Sequence, residues 1–404
     1  MSQLPPGPQV PPVVQAVLFH RDPLGVLTRL RARHGPLFTL RFPYKAPLVF
    51  TTDRSAIAAL LDADPRRAHA GAARRDVLPQ ASPRSPFGAD GEHHAATRGR
   101  MEGAFSQERT AALEPEIAAL AERHVASWPR GRPFRLLARM RTLATDVFVR
   151  LVLAIDDERR ATGLVGAVRH LLWTPGNPPL PVPAGGGVDA VFAARRAPIA
   201  RLLEEEIAAR RRAEPRDDLL GAVVAAQPGA PADAIVDELL VVMMAAQEPP
   251  AIALTNVVYE LARQPGLEPT AAVVAEVLRL RPSAQAVLRQ LTEPLTIAGH
   301  ELPAGTDVAV PSLLAHRDPV AFPRSSEFRP ERFDDGVLPG APYIPFGGGA
   351  RRCIGQWLAE AEFRAVLPVV AAGLRLRPAA PGAERMLVRG TVLVPHRSAL
   401  VIGR

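Results

Sequence analysis

The chain of 404 residues contains one cysteine, one lysine (Lys45) and few aromatic side chains, 5% of the total. A lone cysteine, Cys353, excludes an internal disulfide and suits a reducing compartment, so the expected location is the cytoplasm. With 47% apolar residues and so few aromatic ones, the core must be built mainly from aliphatic side chains. Met1 to Pro8 carries neither a charged leader nor an apolar run long enough for a bilayer, and no membrane is expected as a partner. No Gly/Ser linker, low-complexity tract or repeat divides the chain, which predicts a single domain over 1–404; a monomer is expected. Because lysine is nearly absent, the net charge of +8 rests on arginines, and these are scattered. Nothing has the pattern of a recognition helix, zinc finger or RNA-binding module, so nucleic acid is not an expected partner and most arginines read as a solvated surface.

Helical periodicity dominates what is present. Val13 to Arg33 carries apolar residues at helical spacing and ends at His34-Gly35-Pro36. Two short alternating runs, Leu37 to Phe42 and Pro47 to Thr51, then predict a small sheet. Longer helices are predicted over 108–128, 138–156, 188–212 and 231–264, with a short one near 217–226. The stretch 174–187 is too rich in proline and glycine for a helix. The fold class is mainly α with small β-sheets.

Cys353 stands in the run Phe346-Gly347-Gly348-Gly349-Ala350-Arg351-Arg352-Cys353-Ile354-Gly355. A thiol among glycines and arginines has the setting of a metal-binding thiolate: the glycines admit a large planar group and the positive charges favour ionised sulfur. An ordinary buried cysteine in a Gly-rich turn is the plain alternative. The spacing resembles the haem-binding loop of cytochrome P450, F-x-x-G-x-R-x-C-x-G, with Phe346, Gly349, Arg351, Cys353 and Gly355 at the fixed positions. The resemblance implies a triangular prism of helices around a buried haem b, with Cys353 as the iron's thiolate ligand.

Other segments extend the resemblance. Glu276 and Arg279 share one face of a predicted helix, as in the family's ExxR helix, and Pro330-Glu331-Arg332-Phe333 supplies the arginine, Arg332, that such a pair binds. This cluster is expected to be structural, supporting the cysteine loop. Haem carries two propionates that need cations or donors. His94 and Arg98, four apart in the family's H-x-x-x-R pattern, are expected to serve them together with Arg289 and Arg351, with His93 as the substitute if the register is off by one. The stretch 174–187 corresponds to the family's movable lid over the substrate cavity, or is a plain surface loop. Met243, Met244, Ala245 and Val287 are expected to contact substrate.

Two departures from the pattern stand out. The family's long central helix carries A-G-x-(D/E)-T, whose acid and alcohol relay protons for oxygen activation, whereas this chain reads Ala245-Ala246-Gln247-Glu248-Pro249-Pro250. Glu248 keeps the acid, Gln247 precedes it, and Pro249 replaces the alcohol. The prolines predict a broken or widened hydrogen-bond ladder near Ala245 and Ala246, with helix resuming at Ala251. Between Pro265-Gly266 and Glu276 there is room for little more than a turn where the family has another helix. With no flavin or iron-sulfur motif, the resemblance implies an enzyme that takes electrons from a separate ferredoxin and its reductase to oxidise a small molecule by hydroxylation, epoxidation, coupling or cyclisation. An acidic ferredoxin is expected to dock near Arg100 and Arg352. The alternative is a haem-thiolate sensor or binding protein without turnover.

Overall fold

The computed structural model describes residues 4–43, 45–62, 67–77, 82–172, 187–337 and 340–404. The predicted lid lies outside these residues except for Gly187. Two helices open the chain, α1 (Pro12–Arg21) and α2 (Pro23–His34), where the periodicity predicts one. The cause is Pro23, which pushes Asp22 out of helical geometry to φ −148° and leaves its carboxylate to cap α2 by accepting from the Gly25 N–H. The two predicted strands follow as β1 (Leu37–Leu40) and β2 (Leu48–Thr51). Then come α3 (Arg54–Asp62), β3 (Ala68–His69), α4 (Ala70–Val77) and α5 (Gly91–Glu102).

The segment predicted as one helix over 108–128 is divided into α6 (Gln107–Ala112) and α7 (Glu114–Ala126), because Pro115 is tolerated only in a first turn. A short strand β4 (Pro133–Arg135) leads into α8 (Leu136–Val147), which gives way to a π-turn at Phe148–Val152 instead of running to 156. Helices α9 (Glu158–Leu172), α10 (Gly187–Arg210) and α11 (Leu219–Ala225) precede the 32-residue α12 (Ala232–Arg263). Among the described residues α12 alone is long and apolar enough to cross a bilayer, but most of its apolar stretch is buried in the core. A bare turn separates it from α13 (Ala271–Leu280), as the short spacing predicts.

The rest of the chain supplies β5 (Ala286–Leu291), β6 (Leu295–Ile297), β7 (His300–Leu302), β8 (Asp307–Pro311) and the single turn α14 (Ser312–Ala315). Helix α15 (Gln356–Gly373) and strands β9 (Leu376–Pro378), β10 (Met386–Arg389), β11 (Val392–Pro395) and β12 (Leu400–Gly403) complete it. One sheet has the order β1-β2-β8-β5-β3, a second β4-β12-β9, and two hairpins pair β6 with β7 and β10 with β11. The architecture is mainly α with small sheets. Leu120 of α7, Leu143 and Val147 of α8, Leu239 and Ile252 of α12 and Val366 of α15 share the largest core, so α12 crosses the molecule inside a cage of helices.

Glu276, Arg279 and Arg332 come together in one cluster. Both carboxylate oxygens of Glu276 accept from Arg279, at 2.7 and 2.8 Å, and one also accepts from Arg332 Nε at 3.2 Å and the Arg329 N–H at 2.8 Å. The remaining Arg279 donors reach the carbonyls of His316, Ser325 and Glu327, so a pair with no solvent exposure is fully satisfied. Removing one partner of such a pair costs about 3–5 kcal/mol, because the other charge is left buried and alone. His316 ties this cluster to the loop: its Nε2 accepts from the Ile344 N–H at 2.9 Å, which leaves Nδ1 to donate to the Arg279 carbonyl at 3.2 Å.

Burial lowers the pKa of His316 from 6.5 to about 3, against a raising contribution from the Arg279 carbonyl. Between those two values the unfolded chain binds the proton and the folded chain does not, so stability falls as pH drops below 6.5 toward 3. Urea midpoints measured above and below pH 6.5 should show this loss, and the loss should shrink in His316→Gln. An undiminished loss in the variant would assign the pH dependence to other groups.

Candidate active site

The cysteine loop is held by its own backbone and by glycines. The Cys353 N–H donates to the Phe346 carbonyl at 2.8 Å, closing a turn around the 3-10 segment Gly349–Arg351, and Phe346 itself packs on the main core. Gly349 has φ +60°, and a Cβ there would lie 1.9 Å from the Leu61 carbonyl oxygen, so this glycine is required by the approach of α3. Gly355 is different. It has ordinary φ, caps α15, and a Cβ on it would meet no described atom within 4 Å. Space beside the thiol is thus left open on the Gly355 side.

Cys353 is exposed to that open space although many protein atoms surround it. Desolvation pushes its thiol pKa up; the Gly355 N–H and the charges of Arg98, Arg74 and Arg352 pull it down but do not prevail. The expectation that positive charge alone would favour the thiolate is therefore corrected, since burial outweighs it in the chain by itself.

Three arginines from separate elements face the same region: Arg74 on α4, Arg289 on β5 and Arg351 in the loop. Each has its pKa lowered, first by burial; Arg74 is brought to about 9 and Arg289 to about 10, with mutual repulsion contributing. The single carboxylate among them is Asp90. It is engaged by Arg351 at 2.6 Å and by the N–H groups of Gly71 and Ala72, each at 2.8 Å, while Arg351 also donates to the Ala89 carbonyl at 2.7 Å. Arg75 also lies 3.8 Å from Asp90, so among the described residues Arg74 and Arg289 are the two cations here left without a carboxylate. His94 of α5 is buried beside them, and desolvation plus Arg351, Arg98 and Arg74 lower its pKa to about 4, so it stays neutral and adds no charge.

Arg98 and Arg351 prove to be spent largely on protein groups. Arg98 donates to Glu102 at 2.7 Å and to the Arg352 carbonyl at 2.8 Å, so it clamps the loop to α5. Arg100 is not on a free docking face, because it pairs with the buried Glu238 at 3.1 Å. Arg352 is exposed, with its Nε on Gln356. A haem b fits this donor set: a lone thiol facing open space beside Gly355, and an excess of two cations for two propionates. Sequence reasoning missed Arg74 and Asp90, since neither stands in a spaced motif.

Helix α12 is continuous through Pro249 and Pro250, and in that respect the predicted break is absent. Neither proline has an N–H, however, so the carbonyls of Ala245 and Ala246 lack their usual donors four residues on. The Pro249 carbonyl accepts from the Ser283 hydroxyl at 2.8 Å. Ala245 is exposed in the middle of an otherwise buried helix, and Met244 and Pro249 are half-buried beside it. Met243 belongs to the main core at 1% exposure, which corrects its expected place at the substrate. Val287 is half-buried in β5, opposite Val310. Glu248 is not free: Arg141 of α8 donates Nε at 2.7 Å to one carboxylate oxygen and its second nitrogen to the other. Gln247 donates to Thr145 of the same helix, and its carbonyl oxygen is buried without a partner.

Comparison with known proteins agrees with this geometry. Residues 5–269 and 266–395 match the sequence model of a family described as Cytochrome P450, and the two matched pieces meet at the shortened connection between α12 and α13. A Mycobacterium tuberculosis protein named cytochrome P450 135A1 is 30% identical over 424 residues, covering 98% of this chain and 94% of its own. Cyclooctatin synthase of Streptomyces melanosporofaciens is 28% identical over 407 residues, 90% of this chain and 87% of its own. The structure of retinoic acid bound cyanobacterial CYP120A1 superimposes with a TM-score of 0.82 over 100% of both chains at 22% identity.

The two loop glycines make opposite predictions. Gly349→Ala should destabilise the cofactor-free protein by about 2 kcal/mol or more, read as a lower urea midpoint, because it combines backbone strain with a clash. Gly355→Ala should stay within about 1 kcal/mol of the parent, the range for a changed helix cap, yet release haem faster. Unchanged haem release in Gly355→Ala would show that no cofactor lies against that face.

Proposed function

The chain belongs to the cytochrome P450 family and is a monooxygenase, and from that premise we propose that it oxidises an apolar small molecule at a haem b ligated by Cys353, using electrons from a separate ferredoxin and its reductase. The observation that carries this reading is the exposed Cys353 thiol together with two cations near it, Arg74 and Arg289, that have no carboxylate of their own among the described residues. Bound there, a haem-thiolate centre supplies dioxygen activation, with the thiolate ligand favouring cleavage of the oxygen–oxygen bond. The chain's own residues bind, orient and handle protons around it. Family membership favours this over a sensor without turnover, and the lone cysteine supports a cytoplasmic enzyme.

Ala245 is exposed and Met244, Pro249 and Val287 are half-buried, and these aliphatic side chains support an apolar scaffold. Similarity to a synthase named for one product supports a role in secondary metabolism. Exposed Arg352 beside the ligand and the +8 net charge support an acidic ferredoxin as donor. At the proline pair, the free carbonyls of Ala245 and Ala246 accept hydrogen bonds from water or from a substrate hydroxyl, taking over the positioning that an alcohol at 249 would provide. Glu248 moves a proton only when one of its oxygens leaves Arg141, so the ion pair sets how readily the relay runs.

The test is turnover with a purified ferredoxin, its reductase and dioxygen over a panel of apolar secondary metabolites, followed as product formation. Glu248→Gln should slow dioxygen-driven turnover by about a hundredfold, the order expected for losing one proton-transfer group, and peroxide-driven turnover much less. Equal losses under both oxidants, accompanied by a lower unfolding midpoint, would assign Glu248 to holding Arg141 instead. No product from any donor and substrate combination would contradict the oxidising role.

A further inference from the structure

Among the described residues, two of the arginines around the site have no carboxylate of their own. Arg351 takes Asp90, and Arg98 takes Glu102. Among the described residues Arg289 donates only to the neighbouring Leu288 carbonyl, and Arg74 makes no hydrogen bond or ion pair. Arg74 is nevertheless firmly placed. Its guanidinium lies 4.2 Å over the Phe87 ring, a stack that orients the planar group without using its N–H donors.

The helix that carries it is seated just as closely. The first turn of α4 rests its Gly71 and Ala72 N–H groups on Asp90, and a Cβ at Gly71 would fall 2.4 Å from the Ala89 carbonyl oxygen and 2.5 Å from that of Gly88. Arg75 of the same helix donates to the Gly88 carbonyl. The seat therefore aims Arg74 toward Arg289, Arg351 and Cys353, all of which act on it electrostatically. Bringing like charges together raises the energy of this arrangement unless an anion enters between them.

We propose that Arg74 binds one carboxylate of the cofactor, with Arg289 serving the other, so that cofactor binding and the seating of α4 form a single equilibrium. This rests on the haem reading above but assigns to α4 a part that no spaced motif marks. An uncharged porphyrin edge would leave the three arginines repelling one another, and α4 would open more often. The charged edge holds it closed over the site, so α4 becomes rigid only in the loaded protein.

The test reconstitutes the parent and Arg74→Gln with haem b or with its dimethyl ester, which lacks both charges, and measures release to apomyoglobin. Haem b should leave Arg74→Gln about tenfold faster than the parent, as expected for losing one charge-assisted hydrogen-bonded contact. The ester should leave both proteins at the same rate, and Arg74→Lys should fall between parent and Arg74→Gln for haem b. Equal haem b release from parent and Arg74→Gln, or equal acceleration with the ester, overturns the proposal. If Arg74→Gln does not fold, amide exchange of residues 70–77 in the parent decides: slower exchange with haem b than with the ester supports the tether, and equal exchange overturns it. A parent chain that takes up neither porphyrin overturns the haem reading and the tether with it, which separates the two failures.

Discussion

The carboxylate of Asp90 is the junction on which the site depends. It accepts from the backbone of α4, it precedes the first turn of α5, and it pairs with Arg351 of the cysteine loop. Three elements distant in sequence are thereby fixed to one another by a single anion. Its charge is also the smaller part of an unequal sum, because Arg351 and Arg75 pair with it and Arg74 and Arg289 lie close by. The surplus positive charge is stable only beside a further anion or open to water, and that imbalance is what marks the region as a binding site rather than a structural ion cluster.

The support beneath the loop follows the opposite rule. Glu276, Arg279 and Arg332 are paired within the protein, and His316 uses both ring nitrogens on backbone groups. Burying charges this completely is tolerated because every donor and acceptor of the Glu276–Arg279 pair has a partner, and the reward is positional: the loop's Ile344 N–H is fixed to a ring that is fixed to α13. A satisfied cluster anchors Ile344, two residues ahead of the loop, and an unsatisfied one reaches the loop through Arg351. The first gives the loop its rigidity and the second gives it a ligand.

Much of this was legible in the sequence where chemistry repeats at short range. The loop from Phe346 to Gly355, the three-residue spacing of Glu276 and Arg279, the strands at Leu37 and Leu48 and the long helix through Ala251 all follow from local pattern. What local pattern misses is pairing across the chain. Nothing in Ala70–Val77 sets Arg74 apart from its neighbour Arg75, and only the fold brings it to Arg289. Glu248 meets Arg141 across 107 positions, which turned an expected free acid into half of an ion pair. Met243 and Ala245 lie two residues apart on one helix, so they point in nearly opposite directions, and only packing decides which one is buried and which exposed. Pro23 and Pro115 end helices where periodicity alone runs on, whereas Pro249 and Pro250 do not end α12, because the surrounding core holds the helix in place.

Everything proposed rests on Cys353 carrying the iron as a thiolate, and the absorption spectrum of the reduced, carbon monoxide-bound protein tests it most directly. The account predicts the strongly red-shifted Soret band of thiolate ligation in the parent protein, and haem retained without that shift in Cys353→His. An unshifted band in fresh, folded and haem-loaded parent protein would contradict it.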